Sequence, residues 1–206
     1  MNKYDEDSKE VIENHSHEIS LPPIPSRKKV ILLGVTASIA AYKAAEIVSQ
    51  LRQRGHVIFV IMTAGARNFI TPLTLQTLSG NLVFENFLQE DPTSCQHIEL
   101  ADRADLLLIA PATAHTIARL AYGFADDPLS AVALATRAPI LLAPAMNGKM
   151  WMHPATCDNV NRLRERGVEF LGPVLGRLAC GYEGVGKLIE PSAIVEHVEI
   201  ILNKKK

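Results

Sequence analysis

The chain has 206 residues, 48% hydrophobic and 21% charged, which is ordinary globular composition and enough for one domain with a real core. A formal net charge of −1 gives no electrostatic basis for nucleic acid or an anionic membrane as partner. No apolar run reaches the roughly 20 residues of a membrane span, and the polar start "MNKYDEDSKEVIENHSHEIS" lacks the apolar stretch of a signal peptide.

Residues 1–27 are polar and end in the proline-rich "LPPIPS", so a mobile tail is expected there, with a short basic tail at 204–206. The domain is expected over 28–203. "VILLGV" (30–35) is a continuous apolar run, as in a strand buried on both faces. Ala40, Ala44, Ile47, Val48 and Leu51 then recur at helical spacing, and Gly55 closes that helix. "VIFVIM" (57–62), "ADLLLIAPA" (104–112), "APILLAPA" (138–145) and "VEFLG" (168–172) read as further strands. Helices fit at about 113–122, 128–136, 154–167 and 191–203, with Asp127 as N-cap before Pro128. This alternation predicts an α/β fold: a single-domain, doubly wound, mostly parallel sheet between helix layers, Rossmann-like or flavodoxin-like. Ligands in such folds sit beyond the carboxyl ends of the strands. That puts "GVTAS", "MTAGA", "APATAHT" and "APAMN" on one rim.

Gly34 is expected to permit a tight turn after the first strand, with Thr36 and Ser38 offering hydroxyls at a helix start where an anion is favoured. "APATAHT" repeats the pattern with Thr113 and Thr116, and the small Ala114 lets a flat ring approach. No G-x-G-x-x-G is present, so the rim suits a phosphate-bearing planar cofactor of mononucleotide type. "PAMNGKMW" places an asparagine, two methionines and the only tryptophan on a loop. Met146, Met150 and Trp151 offer an adaptable apolar wall, although such residues are more often simply packed. "GRLACGYEGVGK" carries Cys180 among four glycines and is read as a mobile flap able to close over a ligand. Three cysteines without framework or zinc spacing point to free thiols in a reducing cytoplasm, and no metal site is expected.

"GVTASIAAYK", "HIELADRADLLLIAPATA", "ADDPLS", "APAMNGKMW" and "RLACGYEGVGKLIEPS" occur in that order. Over about residues 28–200 the chain resembles the homo-oligomeric flavin-containing cysteine decarboxylases, the phosphopantothenoylcysteine decarboxylase family. The resemblance implies FMN as cofactor, 4′-phosphopantothenoylcysteine as substrate and 4′-phosphopantetheine as product, a step of coenzyme A biosynthesis. It implies that the thiol is first oxidised to a thioaldehyde, so that CO₂ departs with its electrons delocalised onto sulfur as an enethiolate. By resemblance His97 is the active-site base or proton handler and Cys180 the acid that protonates the enethiolate. Asn147, Met150, Arg177, Leu178, Ala179 and Lys187 are the expected substrate contacts, with Arg177 or Lys187 facing the phosphate. Gly34, Thr36, Ala37, Ser38, Thr63, Thr113, Ala114, His115, Thr116 and Ala145 are the expected flavin contacts. His115 stands where the family has asparagine, which rewrites amide contacts to the flavin. Ala37 replaces a common glycine.

The family implies a homotrimer or a multiple of trimers, with flavin between subunits, and a separate phosphopantothenate–cysteine ligase. Two other readings share the fold: a peptidyl-cysteine decarboxylase, and a non-catalytic flavin-binding regulator. His97, Asn147 and Cys180 together favour the first enzyme over a binder, which needs no acid thiol.

Overall fold

The computed structural model describes residues 28–87 and 95–204. The tail expected over 1–27 and the end of the basic tail lie outside them; Lys204 closes the last helix. In chain order the elements are β1 (Val30–Val35), α1 (Lys43–Gln53), β2 (Val57–Met62), α2 (Pro72–Ser79), β3 (Val83–Phe84) and α3 (Gln96–Arg103). They continue with β4 (Leu106–Ala112), α4 (Ala114–Tyr122), α5 (Pro128–Ala135), β5 (Ile140–Pro144), α6 (Gly148–Trp151) and α7 (Pro154–Glu165). The chain then forms β6 (Glu169–Phe170), β7 (Val174–Arg177), β8 (Glu183–Lys187) and α8 (Pro191–Lys204). Among the described residues no helix is long and apolar enough to cross a membrane.

Six strands form one parallel sheet in the order β3-β2-β1-β4-β5-β6. That is the Rossmann order rather than the flavodoxin one. Successive residues of β1 serve opposite cores, which is why the strand is apolar throughout. Ile31, Leu33 and Val35 pack against α1 and α8, through Ile47, Leu51 and Val198 among others. Val30 and Leu32 face the other layer, with Leu100 of α3, Ile117 of α4, Leu129 of α5 and Leu163 of α7. At the amino end of β1, Asp105 accepts from the Val30 amide at 2.9 Å and pairs with Lys29 at 3.0 Å. α5 begins with the expected cap: Asp127 accepts from the Ser130 amide at 2.8 Å, and Ser130 Oγ accepts in return from the Asp127 amide at 3.3 Å.

Five segments differ from expectation. α2, β3 and α3 fill a stretch for which the sequence predicts no element, and α6 lies within a stretch read as loop. The glycine-rich flap is an antiparallel hairpin, β7 paired with β8, Arg177 opposite Glu183 and Val174 opposite Lys187. Its glycines let backbone lie on backbone. A Cβ on Gly186 would stand 2.2 Å from the Met146 carbonyl oxygen, and one on Gly148 would stand 2.8 Å from that of Val185. The Met146 amide donates to the Gly186 carbonyl at 3.0 Å, fixing the hairpin over the end of β5.

Gly34 is not a turn residue. It lies inside β1, where a Cβ would meet Leu129 Cδ1 at 2.5 Å and Ile109 Cγ1 at 3.1 Å, so its hydrogen is what admits α5 to the sheet. Thr36 likewise faces inward. Its hydroxyl is buried, donates to the Pro111 carbonyl at 2.7 Å and accepts from the Thr113 amide at 3.2 Å. It joins the loops after β1 and β4 where the strand order reverses. Gly34→Ala should lower unfolding free energy by about 1–3 kcal/mol through overpacking, read as an earlier midpoint in urea. Thr36→Val keeps the shape but strands two backbone groups, at a cost of about 1–3 kcal/mol.

Candidate active site

The reversal of strand order between β1 and β4 opens a crevice beyond their carboxyl ends. A rim cavity of about 580 Å³ occupies it. Ala37 and Ser38 enter it after β1, Thr63 after β2, and Thr113, Ala114, His115 and Thr116 from the start of α4. Ala145 and Met150 close the far side; Met150, expected at the substrate, thus borders this cavity. Gly34 and Thr36 are not among its lining residues, because their roles lie in the packing beneath it. Thr113 caps α4: its hydroxyl accepts from the Thr116 amide at 3.3 Å and lies 3.1 Å from the Thr116 hydroxyl. Ser38 Oγ accepts from the Ala40 amide at 3.3 Å and so caps the short turn Ile39–Tyr42.

These walls fit a flat, phosphorylated cofactor. Ala37, Ala64, Ala114 and Ala145 are too small to obstruct a ring, and a Cβ on Gly65 would stand 2.8 Å from the Ala37 Cβ. The first-turn amides of α4 have no intrahelical acceptors and favour an anion. His115 is exposed on that turn. Arg119, the cation of this cavity, is already paired with both Asp126 and Asp127.

A second cavity, of about 390 Å³, lies under the hairpin and shares Ser38, Ala145 and Met146 with the first. Asn147, Arg177, Leu178, Ala179, Cys180 and Lys187, expected from the sequence at a substrate, all line it. Asn147 sits where β5 ends and α6 begins, as the N-cap of α6. Its Oδ1 accepts from the Lys149 amide at 2.8 Å and from the Tyr182 hydroxyl at 2.8 Å. With the oxygen so occupied, the amide nitrogen faces the hairpin turn and donates to Cys180 Sγ at 3.1 Å. The sulfur is therefore held as an acceptor, and one N–H of Asn147 is left for a ligand. The carboxylate of Glu190 bridges Lys43 Nζ at 2.9 Å and Lys187 Nζ at 3.1 Å; the Lys43 bond, then the Lys187 bond, holds its pKa below the usual carboxylate value.

Tyr182, Lys43 and Glu190 were not singled out in the sequence. Tyr182 is the neighbour-but-one of the expected cysteine, and the lysine–glutamate pairing spans 147 positions, beyond any local pattern. His97 is placed differently from the other expected residues. It is half-buried in the first turn of α3, stacks edge-on against Phe87 at 5.4 Å, and lines neither cavity of its own chain. Cys95, Cys157 and Cys180 are exposed free thiols. Among the described residues no group of three His, Cys, Asp or Glu could hold a metal ion.

Comparison with known proteins converges on one family. Residues 20–203 match the family described as Flavoprotein. A Streptococcus mutans (serotype c, strain ATCC 700610 / UA159) protein named "Probable phosphopantothenoylcysteine decarboxylase" is 47% identical over 174 residues, covering 83% of this chain and 97% of its own length. The "Coenzyme A biosynthesis bifunctional protein CoaBC" of Vibrio vulnificus (strain YJ016) is 46% identical over 180 residues. That match covers 86% of this chain but 44% of the relative, so the chain spans less than half of the bifunctional protein. A solved cysteine-to-serine variant of PPC decarboxylase, complexed with pantothenoylaminoethenethiol, superposes with a TM-score of 0.77 at 30% identity, covering 86% of this chain and all of that one. The FMN binding protein AtHal3 gives 0.76 at 30% identity, covering 87% of this chain and all of its own. The chain belongs to the Flavoprotein family.

Proposed function

We propose that this protein is an FMN-dependent carboxy-lyase that converts 4′-phosphopantothenoylcysteine to 4′-phosphopantetheine, a step of coenzyme A biosynthesis. The observation that carries the reading is the hydrogen-bonded set Tyr182–Asn147–Cys180, standing in a cavity that shares a wall with a ring-sized one. When bound in the rim cavity, the flavin supplies the two-electron oxidation of the substrate thiol and its later reversal. Ala37, Ser38, Thr63, Ala114, His115 and Ala145 border its place, and the start of α4 faces its phosphate.

The residues of the hairpin cavity handle charge and protons. Asn147 turns a neutral amide donor toward the substrate carboxylate. A neutral donor orients the anion without stabilising it as a cation would, and so does not oppose loss of CO₂. Departure of CO₂ leaves the bond's electron pair on the oxidised sulfur-bearing carbon skeleton as an enethiolate. Cys180 then gives its S–H proton to that anion and becomes the thiolate, which the Asn147 amide already addresses. His97 serves as the proton handler for the substrate thiol, since imidazole exchanges protons near neutral pH.

His97 lies outside both cavities of its own chain, which supports assembly as a homotrimer or a multiple of trimers, with neighbouring copies completing the site. A phosphopantothenate–cysteine ligase activity supplies the substrate. The free thiols accord with a reducing cytoplasm as the site of action.

The complex of a PPC decarboxylase Cys-to-Ser variant with pantothenoylaminoethenethiol supports the order of steps, because that compound is the decarboxylated, still oxidised species. Cys180→Ser should therefore release CO₂ in a single turnover but accumulate the enethiol and leave the flavin bleached, as followed by mass spectrometry and absorbance. Multiple turnovers to 4′-phosphopantetheine by this variant would remove the role of Cys180. Protein that binds flavin yet releases no CO₂ from the substrate would sink the enzyme reading in favour of a flavin-binding regulator. Tyr182→Phe releases Asn147 Oδ1 from one of its two donors. It should lower kcat about tenfold, the worth of roughly one hydrogen bond to a reacting group, with flavin content unchanged.

A further inference from the structure

The hairpin cavity has a charged end that the removal of CO₂ does not explain. Lys43, Arg177 and Lys187 line it together with Cys180. Lys187 stands four residues further along β8 than Glu183, roughly 13 Å of extended strand, so Lys187 and the Lys43 that shares Glu190 with it lie well away from the hairpin turn, beside which Arg177 sits. Each oxygen of Glu190 holds one ammonium group: Oε2 takes Lys43 at 2.9 Å and Oε1 takes Lys187 at 3.1 Å. The Lys43 side chain is only 13% exposed, whereas that of Glu190 is 59% exposed. A lysine so withdrawn from water needs a counter-charge, while an exposed carboxylate loses little by turning away. Two ammonium groups face this one carboxylate, so positive charge at this end exceeds what Glu190 neutralises.

We propose that Lys43 and Lys187 form the binding site for the phosphate of a phosphorylated thiol substrate, with Glu190 holding the two ammonium groups in place until the phosphate displaces it. The proposal rests on the decarboxylase reading of this cavity and adds to it the residues that select a phosphorylated substrate. A carboxylate bonded through both oxygens is a smaller version of what a phosphate offers: adjacent oxygens, each able to take one ammonium. A phosphate carries between one and two negative charges at neutral pH, which matches two lysines better than a single carboxylate does. The phosphate of a mononucleotide flavin has the same chemistry. Lys43 and Lys187 border the hairpin cavity and not the rim cavity, which favours the substrate.

The test uses flavin-loaded wild type, Lys43→Met, Lys43→Arg and Glu190→Gln. Each is titrated calorimetrically with 4′-phosphopantothenoylcysteine and with its dephosphorylated form, and assayed for CO₂ release. Wild type should bind the phosphorylated compound more tightly by at least about tenfold, and Lys43→Met should reduce that preference by about tenfold. Lys43→Arg should keep most of the preference. Glu190→Gln should bind the phosphorylated compound more tightly than wild type, since a competing carboxylate has gone. Equal affinity of wild type for the two compounds, or an unchanged preference in Lys43→Met, overturns the proposal. Loss of flavin from Lys43→Met also overturns it, by assigning the lysine to the cofactor phosphate. A wild type that prefers the phosphorylated compound but releases no CO₂ sustains the phosphate site while refuting the decarboxylase.

Discussion

A single buried hydroxyl decides how the two halves of the rim meet. Thr36 donates to the Pro111 carbonyl and accepts from the Thr113 amide, so the loop after β1 is tied to the end of β4. A parallel sheet only separates such segments where its strand order reverses; it does not say how far apart they stand. In a buried setting, a side chain of one that satisfies two backbone groups of the other sets that distance, because leaving either unpaired is costly. Ala37, Ser38 and the first turn of α4 inherit their positions from it. So does the wall formed by Ser38, Ala145 and Met146, which both cavities use.

That shared wall has a chemical meaning. In the reaction proposed above, electrons pass between a ring in one cavity and sulfur in the other. Two pockets that share Ser38, Ala145 and Met146 hold those groups side by side. The amide of Asn147 completes the arrangement. Its orientation is settled by two donors on the oxygen side, the Tyr182 hydroxyl and the Lys149 amide. The thiol therefore meets a donor rather than an acceptor.

Much of this was legible in the sequence, for identifiable reasons. β1, β2, β4 and β5 are buried on both faces, so their apolar runs were unmistakable, and Asp127 before Pro128 marked a helix start that the structure caps as expected. β3 has two residues and no pattern could reveal it. α3 is eight residues long and its N-cap, Cys95, makes no side-chain capping bond, so nothing in the sequence announces it. The glycines of the hairpin suggest a flap because glycine usually weakens strands; here Gly186 is required by the close approach of Met146, and Gly148 of α6 by that of Val185. Gly34 and Thr36 were noticed for the correct loop but for the wrong reason, since spacing cannot tell a packed hydrogen or an inward hydroxyl from a ligand contact. The pairing of Lys43 with Glu190 depends on the fold bringing distant segments together.

The hairpin is docked by main-chain groups, with the Met146 amide on the Gly186 carbonyl and no space for a side chain at that position. Its seat is thus indifferent to what the outward-facing positions carry. Leu175, Glu183 and Val185 can diversify freely while Gly186 cannot. A scaffold of this kind separates the main-chain contacts that seat the hairpin from the side chains of its outer face, so exchange on that face leaves the placement of the thiol undisturbed.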